Sequence, residues 1–464
     1  MPFCMPAPQR WIASIILPLA LCSEWIHSQE TPPIAPVSPD TLPSIQDAVE
    51  AHLGYVTDYC LDEYGKDDTG IWLGQIDIRT SKLPSLKPDT GSTPPATAWT
   101  FGNLYLDQPT MVAAVEMGRR TGCKCYQDSI TRYLGDQLER MLPGTSDPFQ
   151  MLLSSDYDLI RDEFVSSDQS WTTWNYLPAW EILARESPES VRVCFNNLLK
   201  RTNALHRKLN KNRQNPISIS ITELWMARSI TVASLSWMEN HFEEESESWR
   251  QKALALTQLS DIDLKIFKHL PAGVKASWLN AVTSHPSLAS QLSETQQRRL
   301  LAPFVHETGV PSDDQSQNEP PPESKTPSSK ISSIEGELRY AEACLTAWTQ
   351  TKQLSWLEQA RSKLPPIETS LKDPEPSFTT AGTYGRVIHF MNRYGQLTNE
   401  DRYQILARHV ADQAMQTFYE PRLGMFRSRS ESNLCDSRDG IGFLLLALLA
   451  LDGDDPTITS SLRF

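Results

Sequence analysis

Basic side chains are in short supply: 43 lysines and arginines stand against 57 aspartates and glutamates, for a formal charge of -14. A phosphate backbone needs a basic face, so nucleic-acid binding is excluded as the main role. Histidine is sparse too, with nine copies scattered along the chain. No zinc-binding helix, P-loop, nucleophile elbow or dinucleotide fingerprint occurs, which removes many nucleotide, zinc and serine-hydrolase chemistries. Alternating strand patterns are nearly missing outside residues 70–80. Past the N-terminus no apolar run suggests a bilayer span.

What is present begins with "MPFCMPAPQRWIASIILPLALCSEWIHSQ". Arg10 precedes an apolar run from Trp11 to Cys22, the shape of a secretory signal covering residues 1–28, so the expected location is secreted or periplasmic. Leu19–Cys22 resembles a lipobox, but the bulky Leu21 stands where a small residue is expected, which makes lipidation the lesser reading. Residues 29–44 read as a proline-rich tether. Loss of the signal leaves Cys60, Cys123, Cys125, Cys194, Cys344 and Cys435. Six cysteines can form three bridges whose pairing the sequence does not set. Buried free thiols are the plainer expectation, and Cys123 with Cys125 is no metal signature without a second pair nearby.

The body reads as paired amphipathic helices. "DQPTMVAAVEMGRRTG" offers Asp107 as an N-cap, Pro109 in the first turn and Gly122 as a stop. Tyr126, Ile130, Leu134 and Leu138 then lay one apolar stripe along a partner helix. Similar pairs are expected over 175–206, 223–259 with a turn at "HFEEESES", 336–364 stopped by Pro365, and 380–419 with a turn at Gly395 and a capping signal "TNED". An opening helix from Ile45 to Tyr64 and an all-apolar closing helix, "IGFLLLALLAL", could pair with each other. The expected fold is therefore all-α: an (α/α)6 toroid of about six helical hairpins over residues 45–452, with long loops on one rim. An insertion at about 260–333 interrupts it. Its first part could form short helices, whereas "PSDDQSQNEPPPESKTPSSK" reads as a disordered loop, and residues 453–464 as a tail.

Helices use up their own backbone, so chemistry is expected on the long loops. Residues 65–106 offer Trp72, Trp99, Asn103 and Tyr105, with Asp107 just beyond. Residues 143–174 offer "SDYDLIRDEF", with Tyr157, Asp158 and Arg161, followed by Trp171 and Trp174. Residues 420–439 offer Arg427, Arg429, Arg438, Asp436 and Asp439. Tryptophans on loops can stack on sugar rings, although large aromatics are as often buried. Three guanidiniums can fork a carboxylate or sulfate, or simply pair with Asp436 and Asp439. The acids of the second loop suit a carboxylate pair, but spacing along a loop does not set their separation, and a solvated loop with helix caps is the plainer reading. A calcium site would lack its twelve-residue ligand loop, and no cofactor is required.

The segments "YGKDDTGIWLGQIDIRTSKLP", "NLYLDQPTMVAAVEMGRRTG", "SDYDLIRDEF", "LPAWEIL" and "DSRDGIGFLLLALLAL" resemble bacterial exported six-hairpin proteins of polysaccharide-lyase-like or glycosidase-like type. The resemblance implies a carbohydrate-active protein, a polysaccharide lyase or glycoside hydrolase on an acidic or complex polysaccharide. For elimination, Arg427, Arg429 or Arg438 would neutralise a uronate while Tyr157 takes the proton. For hydrolysis, Asp158 and Asp439 would serve as acid and base. Those relatives carry histidines beside the segments matching "LLSSDYD" and "SWTTWNYLP", where this chain has Ser154, Ser155, Thr172 and Thr173. That departure leaves an alternative: a catalytically degenerate glycan-binding or envelope protein on the same scaffold.

Overall fold

The computed structural model describes residues 42–84, 100–140, 153, 155–165, 177–211, 218–267, 269–283, 327–372 and 379–453. The expected signal, most of the tether, the bulk of the proline-rich loop and the end of the tail lie outside the described residues. The described part is mostly helical.

The first helices start and stop where side chains can satisfy their ends. In α1 (Ile45–Tyr59) the Ser44 hydroxyl accepts the Asp47 N–H at 3.1 Å. Helix α2 (Leu104–Thr121) is capped by Asn103, whose Oδ1 accepts the Leu106 N–H at 3.0 Å, so Asp107 lies inside the first turn rather than at the cap. Gly122 closes α2 in the left-handed conformation as expected. Helix α3 (Cys125–Glu139) buries Tyr126, Ile130 and Leu134, the stripe read from the sequence.

Next come α4 (Trp180–Glu186), α5 (Pro188–Lys211), α6 (Ser218–His241) and α7 (Glu243–Thr257). The expected turn "HFEEESES" shrinks to Phe242, because Glu243–Glu245 favour the positive end of α7 and form its first turn. Helices α8 (Asp261–Phe267) and α9 (Ala272–Thr283) occupy the start of the expected insertion. Helix α10 (Pro327–Thr351) begins inside the segment read as a disordered loop. After α11 (Leu354–Arg361), Pro365 falls in the first turn of α12 (Leu364–Lys372) and opens a helix where a stop was expected. A first-turn residue has no intrahelical N–H bond to lose, so proline fits there. Helix α13 (Ala381–Thr398) runs through Gly395 to a left-handed Asn399, and α14 (Asp401–Phe418) starts two residues later. Helix α15 (Ile441–Asp452) is buried from Ile441 to Leu451.

Specific contacts join these helices in pairs. Gln108 of α2 accepts the N–H of Ala179, just before α4, at 2.5 Å. Trp180 of α4 donates to Ser234 of α6 at 2.9 Å. Trp225 of α6 packs edge-on against Trp278 of α9 with ring centroids 5.2 Å apart. Arg339 of α10 donates to Ser277 of α9 at 2.9 Å. His389 of α13 meets Glu342 of α10 at 2.7 Å. Two glycines let α15 approach its neighbours closely: a Cβ on Gly385 of α13 would lie 2.6 Å from the Phe443 carbonyl oxygen, and one on Gly442 would lie 2.5 Å from the Thr110 nitrogen of α2.

Short strands tie the loops together. β1 (Gln75–Asp77) pairs antiparallel with β7 (Leu434–Asp436). β2 (Phe101–Gly102), β3 (Asp156–Asp158) and β4 (Glu163–Val165) form a second sheet in that order. β5 (Tyr419–Glu420) and β6 (Met425–Phe426) form a hairpin. The sequence suggests almost none of these beyond residues 70–80, because strands of two or three residues are too short to show alternation.

Candidate functional site

The three long loops meet through these ladders. Gln75 stands opposite Asp436 and Asp77 opposite Leu434, which joins the first loop to the third. The Ser437 N–H donates to the Gly74 carbonyl at 3.0 Å and extends that contact. Phe101 stands opposite Asp158 and Gly102 opposite Tyr157, which joins the first loop to the second. The Asn103 amide that caps α2 also donates to Asp156 at 2.6 Å. One side chain thus sets a helix start and a strand position together.

A cleft of about 620 Å³ opens along the first of these seams, lined by Gln75, Arg429, Ser432, Leu434, Asp436, Arg438 and Asp439. Arg429 grips Asp439 with both Nε and Nη2 at 2.7 Å, and the Ser428 hydroxyl donates to the same carboxylate at 3.1 Å. Arg438 grips Asp436 through Nε at 2.9 Å and Nη2 at 2.5 Å, while Gln75 donates to Asp436 at 2.8 Å. Two guanidiniums and two carboxylates leave the lining close to neutral, with forked donors and acceptors on one surface.

Asp107 lies beside this lining and is itself buried. Tyr133 donates to it at 2.8 Å, and Ser437 also hydrogen-bonds it. Burial pushes its carboxyl up to about 7, the nearby Asp436 charge adds to the rise, and the hydrogen bonds oppose it. Burial also raises Asp156, opposed by the Asn103 bond and by the charge of Arg438. An acid of the second loop therefore feels an arginine of the third. Gln75 and Ser437 were not singled out by the sequence, and Asp107 was read both as a cap and as one of the polar residues at the end of the first loop. Its raised pKa and its hydrogen bond to Ser437 mark it, and neither burial nor that contact is visible in a sequence.

The stretch "SDYDLIRDEF" is the β3–β4 hairpin. Asp158 is buried, and its Oδ1 accepts the N–H groups of Ile160 and Arg161 at 2.9 and 3.1 Å, so it shapes the turn instead of acting as an acid. Arg161 sits 3.7 Å from Asp158 with its side chain 70% exposed, away from the lining described above. Tyr157 is fully buried, its phenol pushed up to about 12 chiefly by burial, which removes it as a proton acceptor near neutral pH.

Trp72 is 2% exposed, donates to Ser129 at 3.2 Å and packs edge-on against Tyr133. It belongs to the core and offers no face to a sugar. Tyr105 is buried likewise, and Asn103 is the buried cap already described. Arg427 pairs with Glu420 at 3.2 Å on the β5–β6 hairpin, outside the cleft lining. Of the candidates, Arg429, Arg438 and Asp439 come together in the cleft. Trp99, Trp171 and Trp174 lie outside the described residues.

Cysteine placement divides the same way. Cys60, Cys194, Cys344 and Cys435 are buried free thiols, whereas Cys123 and Cys125 are exposed and bonded to each other, against the expectation of free thiols. Among the described residues no group of three or more His, Cys, Asp or Glu is arranged to hold a metal ion, and no helix is long and apolar enough to cross a membrane.

No family model and no curated protein matches the chain. Among solved structures it is similar to one described as a polysaccharide lyase, with a TM-score of 0.40 and 10% identical residues, over 88% of this chain and 52% of that one. The chain thus spans about half the length of that lyase. A likeness this distant transfers neither activity nor site residues, which rest on the chain's own geometry.

Proposed function

We propose that the chain is an exported carbohydrate-active protein of toroidal build that takes a polysaccharide or oligosaccharide into the cleft of Gln75, Arg429, Asp436, Arg438 and Asp439, and hydrolyses it. The observation that carries the reading is the β1–β7 pairing, which sets Gln75 against Asp436 and gathers polar forks on an open surface. Such forks suit hydroxyl-rich ligands, because each sugar hydroxyl both donates and accepts.

The helix contacts support a closed ring. Followed in order they run α2, α4, α6, α9, α10, α13, α15 and back to α2. That circuit is longer by one member than the six hairpins expected from the sequence. Export rests on the signal-shaped N-terminus, and sequencing the mature N-terminus from culture or periplasm would test it.

Hydrolysis fits the cleft better than elimination. Elimination needs a base beside a cation that meets a uronate, but Tyr157 is buried and the described lining holds no tyrosine, histidine or lysine to take the proton. Hydrolysis needs one carboxyl that keeps its proton near neutrality beside another that is charged. The carboxylates on the lining, Asp436 and Asp439, are the candidates for these roles, while the buried Asp107 acts on them from behind through Ser437 and the Asp436 charge. The test is an oligosaccharide panel read for new reducing ends and for unsaturated products. Reducing ends that vanish in Asp439→Asn are expected. Unsaturated products would overturn hydrolysis, and no binding to any glycan would overturn the whole reading.

A second reading, glycan binding without turnover, is favoured by one feature. Asp436 and Asp439 are each saturated by an arginine fork and a further donor. Affinity for a glycan with neither product formed would select it.

A further inference from the structure

The turn between α2 and α3 holds an exposed disulfide between Cys123 and Cys125. The other described cysteines are buried, with the Cys60 thiol pushed up to about 12 and Cys435 raised well above the ordinary thiol range by burial. Thiols kept protonated in a closed core are poor nucleophiles. Solvent-facing sulfur chemistry is thus confined, among the described residues, to one pair.

A bridge between positions two apart closes a very short loop and takes little entropy from the unfolded chain. The turn is already fastened without it. Gly122 is left-handed with its N–H on the Gly118 carbonyl at 2.9 Å, and the Cys123 N–H donates to the Thr121 hydroxyl at 3.3 Å. Holding α2 against α3 is therefore a weak reason for the bond. The Cys125 N–H, at the start of the fifteen-residue α3, donates to Cys123 Sγ at 3.2 Å. A helix N-terminus favours negative charge, and here its N–H already reaches the sulfur of a bond that can break.

We propose that Cys123 and Cys125 form a reversible thiol–disulfide exchange site for small thiols, separate from the glycan cleft. A thiolate attacks Cys125 Sγ and forms a mixed disulfide. The Cys123–Cys125 bond breaks, and its electron pair goes to Cys123 Sγ, which the Cys125 N–H holds. A second thiolate attacks the small thiol's sulfur in the mixed disulfide and releases Cys125. The two protons given up by the small thiols end on Cys123 and Cys125, and the small thiols leave joined as a disulfide, so two electrons have moved.

The test equilibrates the full chain in glutathione and dithiothreitol buffers of graded ratio, quenches with acid, alkylates and maps peptides by mass. The peptide carrying both sulfurs should gain two alkylatable thiols as the buffer becomes reducing. Cys60, Cys194, Cys344 and Cys435 should label at least about tenfold more slowly in the folded protein. Cys123→Ser, an exposed change, should accept one glutathione on Cys125 from oxidised glutathione. The proposal is overturned if the air-oxidised protein shows both thiols free, if the bond survives every buffer, if no adduct forms on the serine variant, or if the buried cysteines react as fast as the pair.

Discussion

Two clusters of arginine and carboxylate share chemistry and differ in access. At the β1–β7 seam, Arg429 with Asp439 and Arg438 with Asp436 line an open cleft, and the guanidinium side chains stay 48% and 36% exposed. Between α10 and α13, Glu342 accepts from His389 at 2.7 Å and lies 3.8 Å from Arg386, all three closed off from solvent. Arg393 adds bonds to Thr346 and the Glu342 carbonyl. A buried charge must find all its partners inside, so the inner cluster is committed to holding helices together. Pairs with exposed guanidiniums contribute little to stability and can exchange partners with a ligand. An ion pair alone therefore does not mark a site. Space beside it does.

The contrast breaks most sharply at Glu342. Glu342→Ala should cost about 3–5 kcal/mol in denaturant unfolding, because it takes the carboxylate from the buried His389 and leaves the buried Arg386 with Glu335 as its carboxylate partner. A loss under about 1 kcal/mol would place the inner cluster with surface pairs.

Asp107 gives the next effect. Its pKa is raised from 3.8 to about 7, so the stability it contributes as a protonated acid is present below about pH 4 and is lost as pH climbs to about 7. The loss approaches about 3–4 kcal/mol at its largest. Asp62, raised to about 6 by burial, adds a loss of the same sign, whereas His52, lowered to about 4 by burial, acts oppositely because it costs stability as pH falls from 6.5. Both cancel in the difference between wild type and Asp107→Asn. That difference should move in the variant's favour from pH 4 to 7; a flat one would mean that Asp107 is solvated.

Smaller effects sharpen the picture. Gly385→Ala should cost about 1–3 kcal/mol, since its methyl meets the Phe443 backbone, read by thermal or denaturant unfolding. Asp158→Ala should lose about 1 kcal/mol from the hairpin turn and leave glycan affinity unchanged by titration calorimetry. Asp439→Ala should do the reverse, with about 0–1 kcal/mol of stability lost and affinity down at least about tenfold.

The helical body was legible because stripes such as Tyr126, Ile130 and Leu134 repeat at the helix period, and Gly122 stops α2 where a left-handed residue is needed. Pairing of Arg438 with Asp436 and of Arg429 with Asp439 was also foreseeable, since the partners are close in sequence. The seam that builds the cleft was not. Gln75 and Asp436 are 361 positions apart, and their strands are three residues long. Trp72 misled because a tryptophan between helices looks exposed, whereas a bridge to Leu61 folds that segment back into the core.

Hydrogen exchange of the full chain, with and without an oligosaccharide that it binds, tests the central claim most directly. Joint protection of residues 75–77 and 428–439 on binding is the predicted result. Protection confined to another face, such as the apolar groove of Leu338, Pro366 and Ile367 between α10 and α12, would contradict it.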